Sequence, residues 1–250
     1  MVRAWRIFGA ALVIGTYFIT APLGYAIFAV WGLLPNRHPD RRARAMQFFM
    51  KSGFGLMHHT LRWMRILDFH PRHLEGEIPD TPCVLVANNP TLTDISAMLA
   101  SERNLVFTVK PALFDSFWAR PLLAQAQHFA GAGPGALAVG QVIEDAVDRL
   151  ERGYRVIIFP EGTRSPEKGL HPFGRSAFEI ACRAGVPIIP LVITCKPRWL
   201  WKQRGFFNPH DKLPRLRIRA LPAVWPEDAG SSSRTLRDIV FAEIESELNQ

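Results

Sequence analysis

The pattern of apolar and polar positions changes character near residue 72. Before it, residues 7–34 form a run without a single charge. At about 1.5 Å per residue, a helix of that length exceeds a hydrocarbon core of about 30 Å. Pro22 and Gly24 lie mid-run and predict a kink or a break. Two readings stay open: a kinked single span, or a re-entrant hairpin in the cytoplasmic leaflet. A cleaved signal peptide is disfavoured by the length of the run and the lack of a small-x-small cleavage site. Over residues 43–67, Met46, Met50, Phe54, Met57, Leu61 and Met64 recur at steps of three or four, which predicts a helix. Its other face carries Arg44, Lys51, His58, Arg62 and Arg65, which suits either an interfacial helix on anionic lipid or a core-facing one.

Past Pro79, short apolar runs alternate with helical stretches. Residues 83–87, 105–109, 155–159 and 187–194 read as buried strands, and "RLRIRAL" at 215–221 alternates like a half-exposed edge strand. Helices are expected at 94–101, 112–127, 136–152 and 173–184. A last one, capped by Ser231–Ser233, should end near Leu248. This alternation predicts an α/β domain with a central, mostly parallel sheet flanked by helices. The expected division is residues 1–72, membrane-embedded helices, and residues 73–250, the α/β domain. The aromatic and basic loop at 199–213 could touch membrane or an acyl chain.

Composition narrows the partners. Thirty Lys and Arg against 22 Asp and Glu give a net charge of +8, which favours an anionic partner. The basic residues gather beside the apolar N-terminus and not on a nucleic-acid-binding module, so nucleic acid is not expected. Three cysteines without short paired spacing suggest neither a disulfide frame nor a zinc site.

Two stretches carry chemistry. In "VLVANNPTLTDI" an apolar run ends in Asn88 and Asn89, with Asp94 five places beyond Asn89. In "IIFPEGTRSPEKG" a buried strand runs into a turn where Gly162 permits close backbone approach. Turn N–H groups, Thr163, Ser165 and the Arg164 fork make an anion cradle there, and Glu161 could hold an acceptor hydroxyl or fix Arg164.

Together, "NNPTLTD", "FPEGTRS" and "VPIIPLVI" closely resemble the lysophosphatidic acid acyltransferase family of glycerolipid acyltransferases, over residues 74–224. The resemblance implies a membrane-associated enzyme on the cytoplasmic face of a bacterial inner membrane. It would move an acyl group from acyl-carrier protein or coenzyme A to the hydroxyl of a lysophospholipid or specialised lipid. No further cofactor is implied. The family's first motif places a general-base histidine five residues before an orienting aspartate. Asp94 matches that aspartate, Asn88 the preceding asparagine, and Asn89 stands where the histidine belongs. Glu161, Gly162, Thr163, Arg164 and Ser165 map onto the acceptor site, with Lys110 a further basic residue after the 105–109 strand. The arginine the family often carries between the two motifs has no counterpart in 128–137, which argues against a glycerol-3-phosphate-type acceptor.

An amide cannot accept a proton near neutral pH, so the resemblance implies a chain impaired at its base. Asn89 fits a relative that binds acyl lipids without efficient turnover, or a deliberate replacement that traps substrate. The intact surroundings favour the latter.

Overall fold

The computed structural model describes residues 2–33, 39–74, 76–117, 119–133, 135–200 and 211–249, with the backbone alone given for residues 2, 17, 18, 20–29, 31–33, 39, 73 and 136. The apolar runs form strands β1 (Val84–Ala87), β2 (Leu105–Val109), β4 (Arg155–Ile158) and β5 (Ile188–Lys196). With β3 (Phe129–Ala130) and β6 (Arg215–Ala220) they build one sheet in the order β3-β2-β4-β1-β5-β6. Every neighbouring pair is parallel except β5–β6, which is antiparallel. The α/β class and the mostly parallel sheet are therefore as expected.

Helices cover both faces, which is why β1 is buried at all four positions. Leu85 and Ala87 point to one face, packed with α2 (Pro39–Trp63) and α3 (Asp94–Ser101) through Met57, Leu61, Ala97 and Met98. Val84 and Val86 point to the other. There they meet α6 (Ala136–Glu151), α7 (Ser176–Ala184) and α8 (Ser233–Leu248) through Val142, Ala146, Phe178, Leu236 and Val240. β6 is covered on one face only. Leu216 and Ile218 are fully buried, while Arg215, Arg217 and Arg219 turn outward. Asp68 anchors this edge by pairing with Arg217 at 2.9 Å and Arg62 at 3.3 Å.

The N-terminal segment departs from expectation. α1 (Val2–Leu33) runs as one helix through Pro22 and Gly24, so its backbone makes neither the expected break nor a hairpin. Among the described residues, no helix is long and apolar enough to cross a membrane. The predicted membrane-spanning segment thus lacks support, and the side chains at its centre lie outside the described residues. α1 packs against the core through Ala10, Val13 and Ile14. Gly9 permits this approach, because a Cβ there would come within 2.6 Å of Ile66 Cδ1. α2 is core-facing: Met46 and Leu61 are fully buried, and Met50 and Phe54 pack against the same core. It stops at Trp63, not at 67, because Arg65 takes a left-handed φ of 56° and Ile66 N–H closes back on the Leu61 carbonyl at 2.9 Å.

Two smaller differences have local causes. The helix expected at 112–127 splits into α4 (Pro111–Phe114) and α5 (Arg120–Gln125). Ser116 Oγ and Ser116 N–H both take the Leu113 carbonyl, which ends the first piece. β3 was not expected at all. It is two residues long and pairs Phe129 and Ala130 with Thr108 and Val109. Most of the loop read at 199–213 lies outside the described residues, but Trp199 and Leu200 are buried.

Candidate active site

In an open parallel sheet, ligands gather beyond the carboxyl ends of the strands. Both marked stretches end there, because β1 and β4 are adjacent and parallel. Asn88 extends the β1 ladder with its side chain: Nδ2 donates to the Ile193 carbonyl at 2.9 Å, and Oδ1 accepts from Ile193 N–H at 2.7 Å. This locks the exit of β1 onto β5 and fixes where Asn89 emerges. Asn88 is thus a positioning residue, buried and fully engaged.

Ser165 joins the two stretches. Its hydroxyl accepts from Asn89 N–H at 2.9 Å and donates to Glu161 Oε1 at 2.5 Å. Its own N–H donates to the Asn89 carbonyl at 2.8 Å. Glu161 Oε2 accepts from His171 N–H at 2.8 Å. Both carboxylate oxygens of Glu161 are therefore occupied in shaping the turn, and Glu161 does not fix Arg164. Gly162 has φ 63°, and its N–H closes the turn on the Phe159 carbonyl at 3.1 Å. Thr163 is exposed, and Arg164 Nη1 donates to the Leu200 carbonyl at 3.1 Å.

Asp94 opens α3 and is completely buried. Its Oδ1 accepts from Thr91 Oγ1 at 2.5 Å and its Oδ2 from Thr91 N–H at 2.6 Å. With the amide turned to satisfy both neighbours, Asn89 Nδ2 donates to Asp94 Oδ2 at 3.0 Å and to the Thr91 carbonyl at 3.1 Å. Burial pushes the Asp94 carboxyl up to about 7, against the opposing pull of Thr91 and of the Arg198 and Arg164 guanidinium groups. Asn89 and Asp94 are thus a hydrogen-bonded pair in the geometry of an acid oriented toward its partner.

Among the described residues, no imidazole contacts Asp94. His58 is fully buried on α2 and meets α3 at Ser96 Oγ, 3.0 Å from its Nε2. Ser96 spends its hydrogen on the Thr93 carbonyl, so His58 is the donor. Burial lowers its pKa to about 3 and keeps it neutral. His128 is likewise buried, lowered to about 3, and packs on Phe107. Lys110 follows β2, two strands from β1, roughly 10 Å across the sheet. It is exposed and makes no hydrogen bond or ion pair through its ammonium among the described residues. The structure therefore brings together Asn89, Asp94 and the 161–165 turn, and leaves Lys110 at the margin.

Two residues escaped the sequence reading. Thr91 supplies the two donors that hold Asp94, a role visible in hindsight as a threonine three places before the acid. Arg198 comes from the segment after β5, and its Nη1 donates to the Ser165 carbonyl at 3.3 Å. Nothing in its local sequence marks it.

A family model described as Acyltransferase matches residues 71–194. The chain is 31% identical over 136 residues to the chloroplastic 1-acyl-sn-glycerol-3-phosphate acyltransferase BAT2 of Brassica napus, covering 51% of this chain and 38% of that one. It is 27% identical over 216 residues to 1-acyl-sn-glycerol-3-phosphate acyltransferase alpha of Mus musculus, covering 75% and 72%. The matched part is under two fifths of the length of the plant relatives. The fold is that of the crystal structure of the 1-acyl-sn-glycerophosphate (LPA) acyltransferase, PlsC, from Thermotoga maritima. The TM-score is 0.70 over 99% of this chain and 96% of that one, at 22% identity.

Proposed function

Since the chain belongs to the lysophosphatidic acid acyltransferase-like family, we propose that it is built to transfer a fatty acyl group from an acyl thioester to the hydroxyl of a lipid acceptor. The donor is acyl-carrier protein or coenzyme A, and the acceptor a lysophospholipid or related lipid. The observation that carries this reading is the Asn89–Asp94 hydrogen bond at 3.0 Å, set beside the 161–165 turn by Ser165. A histidine at position 89 would use one ring nitrogen on Asp94 and take the acceptor proton with the other. Asn89 keeps the bond to Asp94 but takes no proton, so the chain is impaired at this step.

The protein works at a lipid surface, on the bacterial cytoplasmic side. α1 exposes Trp5, Phe8, Leu12 and Ile19, and α2 exposes Phe49, Leu56 and Trp63 at intervals of seven. Large apolar side chains left in register on two neighbouring helices suit a bilayer interface, with Arg62 beside Trp63 to meet anionic headgroups.

The test compares the chain with Asn89→His, using acyl-carrier-protein and coenzyme A thioesters and a panel of lipid acceptors. The histidine form should turn over about 10²–10⁴ times faster. A histidine form that acylates nothing on the panel overturns the enzyme reading. A second reading, favoured by the lack of any imidazole at Asp94 among the described residues, is a lipid- or carrier-binding protein without turnover. It predicts tight acyl-lipid binding that Asn89→His leaves unchanged.

A further inference from the structure

A fully buried imidazole on α2 is joined to Asp94 by two legs of hydrogen bonds that meet at Thr93. In the first leg, His58 Nε2–H donates to Ser96 Oγ at 3.0 Å, and Ser96 Oγ donates to the Thr93 carbonyl at 2.8 Å. Thr93 is the N-cap residue of α3, yet its hydroxyl makes no capping bond. In the second leg, that hydroxyl meets Thr91 Oγ1 at 3.1 Å, and Thr93 N–H donates to the same oxygen at 3.2 Å. Thr91 Oγ1 spends its own hydrogen on Asp94 Oδ1 at 2.5 Å, so Thr93 is the donor in both contacts. Every bond therefore donates in one direction, from α2 toward the acid, and Ser96, Thr93 and Thr91 are all buried.

An imidazole in this place carries a penalty. Its Nδ1 is buried without a hydrogen-bond partner among the described residues, a loss that leucine would avoid. Phe69 packs edge-on against the ring with centroids 5.0 Å apart, a contact that an apolar side chain would also make. What the ring adds is a directed N–H. A serine hydroxyl rotates freely, and with one lone pair taken by His58 its hydrogen is aimed at Thr93. We propose that His58 is a positioning residue for Asp94: through Ser96 it fixes Thr93 and Thr91, and with them the hydroxyl that orients the acid toward position 89. α2 also exposes Leu56 and Trp63, so the helix assigned to the lipid surface is the one that holds the acid. No member of the chain of bonds is charged. Burial, with His59 beside it, keeps His58 neutral. Arg198 and Arg164 act on Asp94 through charge, and Cys195 on β5 feels the Asp94 charge, but all three stand outside the chain of bonds. This deepens the acyl-transfer reading and rests on it only where turnover is measured.

The test follows the Asp94 carboxyl by carbon-13 NMR of the aspartate-labelled full chain in detergent micelles, with Asp94→Asn identifying its signal. His58→Leu and Ser96→Ala each remove the first bond, from opposite ends, so the result does not hang on one variant folding. His58→Gln keeps an N–H at a similar reach. With the first bond gone, the Thr91 hydroxyl is held less firmly on the carboxylate. Asp94 should then titrate higher by about half a pH unit, a roughly threefold tighter proton. His58→Gln should keep the parental value. In a Thr91→Val background His58→Leu should shift nothing, because the last bond is already missing. A role in α2–α3 packing alone predicts a lower Tm with the Asp94 titration unmoved, and that result overturns the positioning role. So does a glutamine form that titrates like the leucine form, or a shift that persists with Thr91→Val. In the Asn89→His form, His58→Leu should lower kcat about tenfold with KM changed less than about twofold. His58→Gln should restore it, and an unchanged kcat again overturns the role. An Asn89→His form that acylates nothing removes transfer and leaves the NMR titration to judge His58.

Discussion

Helix α3 carries a buried carboxylate at each end, Asp94 at its first residue and Glu102 just past its last, about 12 Å apart along the axis. At the amino ends of the strands, Glu102 meets Arg155 at 3.0 Å. The Glu102 side chain is 9% exposed and that of Arg155 2%. Arg155 also donates to the carbonyls of Pro79 and Arg103. Burial raises the Glu102 carboxyl, and Arg155 opposes the rise with a full charge. At the carboxyl ends of the strands, Asp94 takes its hydrogen bonds among the described residues from Thr91 and the Asn89 amide, with Arg198 and Arg164 acting on it through charge alone, and burial carries it up to about 7. One acid is neutralised by a fixed partner and can do nothing further. The other is hydrogen-bonded by neutral donors and meets Arg198 and Arg164 without a direct ion pair among the described residues, so its charge is left to answer whatever occupies position 89. Buried acids with a charged partner read as structure, and those with neutral partners at a strand-end site read as chemistry.

The largest expected effect breaks the paired end. Arg155→Met strands Glu102 in the interior and should cost about 3–5 kcal/mol, a fall of roughly 10 °C in Tm by thermal unfolding. Arg155→Met with Glu102→Leu should regain most of that loss, since a buried pair is replaced by apolar volume. Equal losses in the single and double variants would show that Arg155 acts through its carbonyl contacts instead.

The unpaired end should reveal itself through pH. The Asp94 carboxyl lies near 7 in the fold, above its ordinary value of 3.8. The folded chain therefore holds a proton that the unfolded chain has lost, and this acid's contribution falls as pH rises from about 4 to about 7. Below that window both states are protonated and burial carries no ionic penalty; above it the full penalty applies, up to about 4 kcal/mol. Asp94→Asn removes the titration. Denaturant unfolding should show the variant gaining on the parent between pH 5 and pH 8. A constant difference would contradict a raised Asp94.

How much of this was legible follows from where the determining contacts lie. The strands at 83–87 and 155–159 announced themselves because parallel strands covered on both faces must be continuously apolar, and the structure places them at Val84–Ala87 and Arg155–Ile158. Asp94 and the 161–165 turn were readable because glycine, proline and acid follow those runs at once. β3 was not, since two residues in a glycine-rich stretch carry no period. The Glu102–Arg155 pair bridges 53 positions, and Arg198 reaches Ser165 across 33, separations that only the folded sheet brings together. The helix at 112–127 misled because its apolar period continues across Ser116, whose hydroxyl competes for the Leu113 carbonyl. The continuous apolar run at 7–34 likewise suggested a span, whereas α1 lays Ala10, Val13 and Ile14 onto the core.

The smallest effect tests the contact that distinguishes the two ends most finely. Thr91→Val keeps the backbone N–H on Oδ2 but removes the hydroxyl that donates to Asp94 Oδ1 at 2.5 Å. Valine has nearly the same shape, so the loss is that of the hydroxyl's bond to a buried acid, worth about 1–2 kcal/mol, together with its longer contacts to Thr93 N–H at 3.2 Å and Thr93 Oγ1 at 3.1 Å. That bond favours the ionised form, and losing it should raise the Asp94 carboxyl further. Destabilisation should therefore be larger at pH 8, where the charge is present, than at pH 5, where the carboxyl is mostly protonated. Glu102, whose charge is met by Arg155, should show no such dependence on Thr91. Equal losses at the two pH values would mean that Thr91 serves the turn and not the carboxylate.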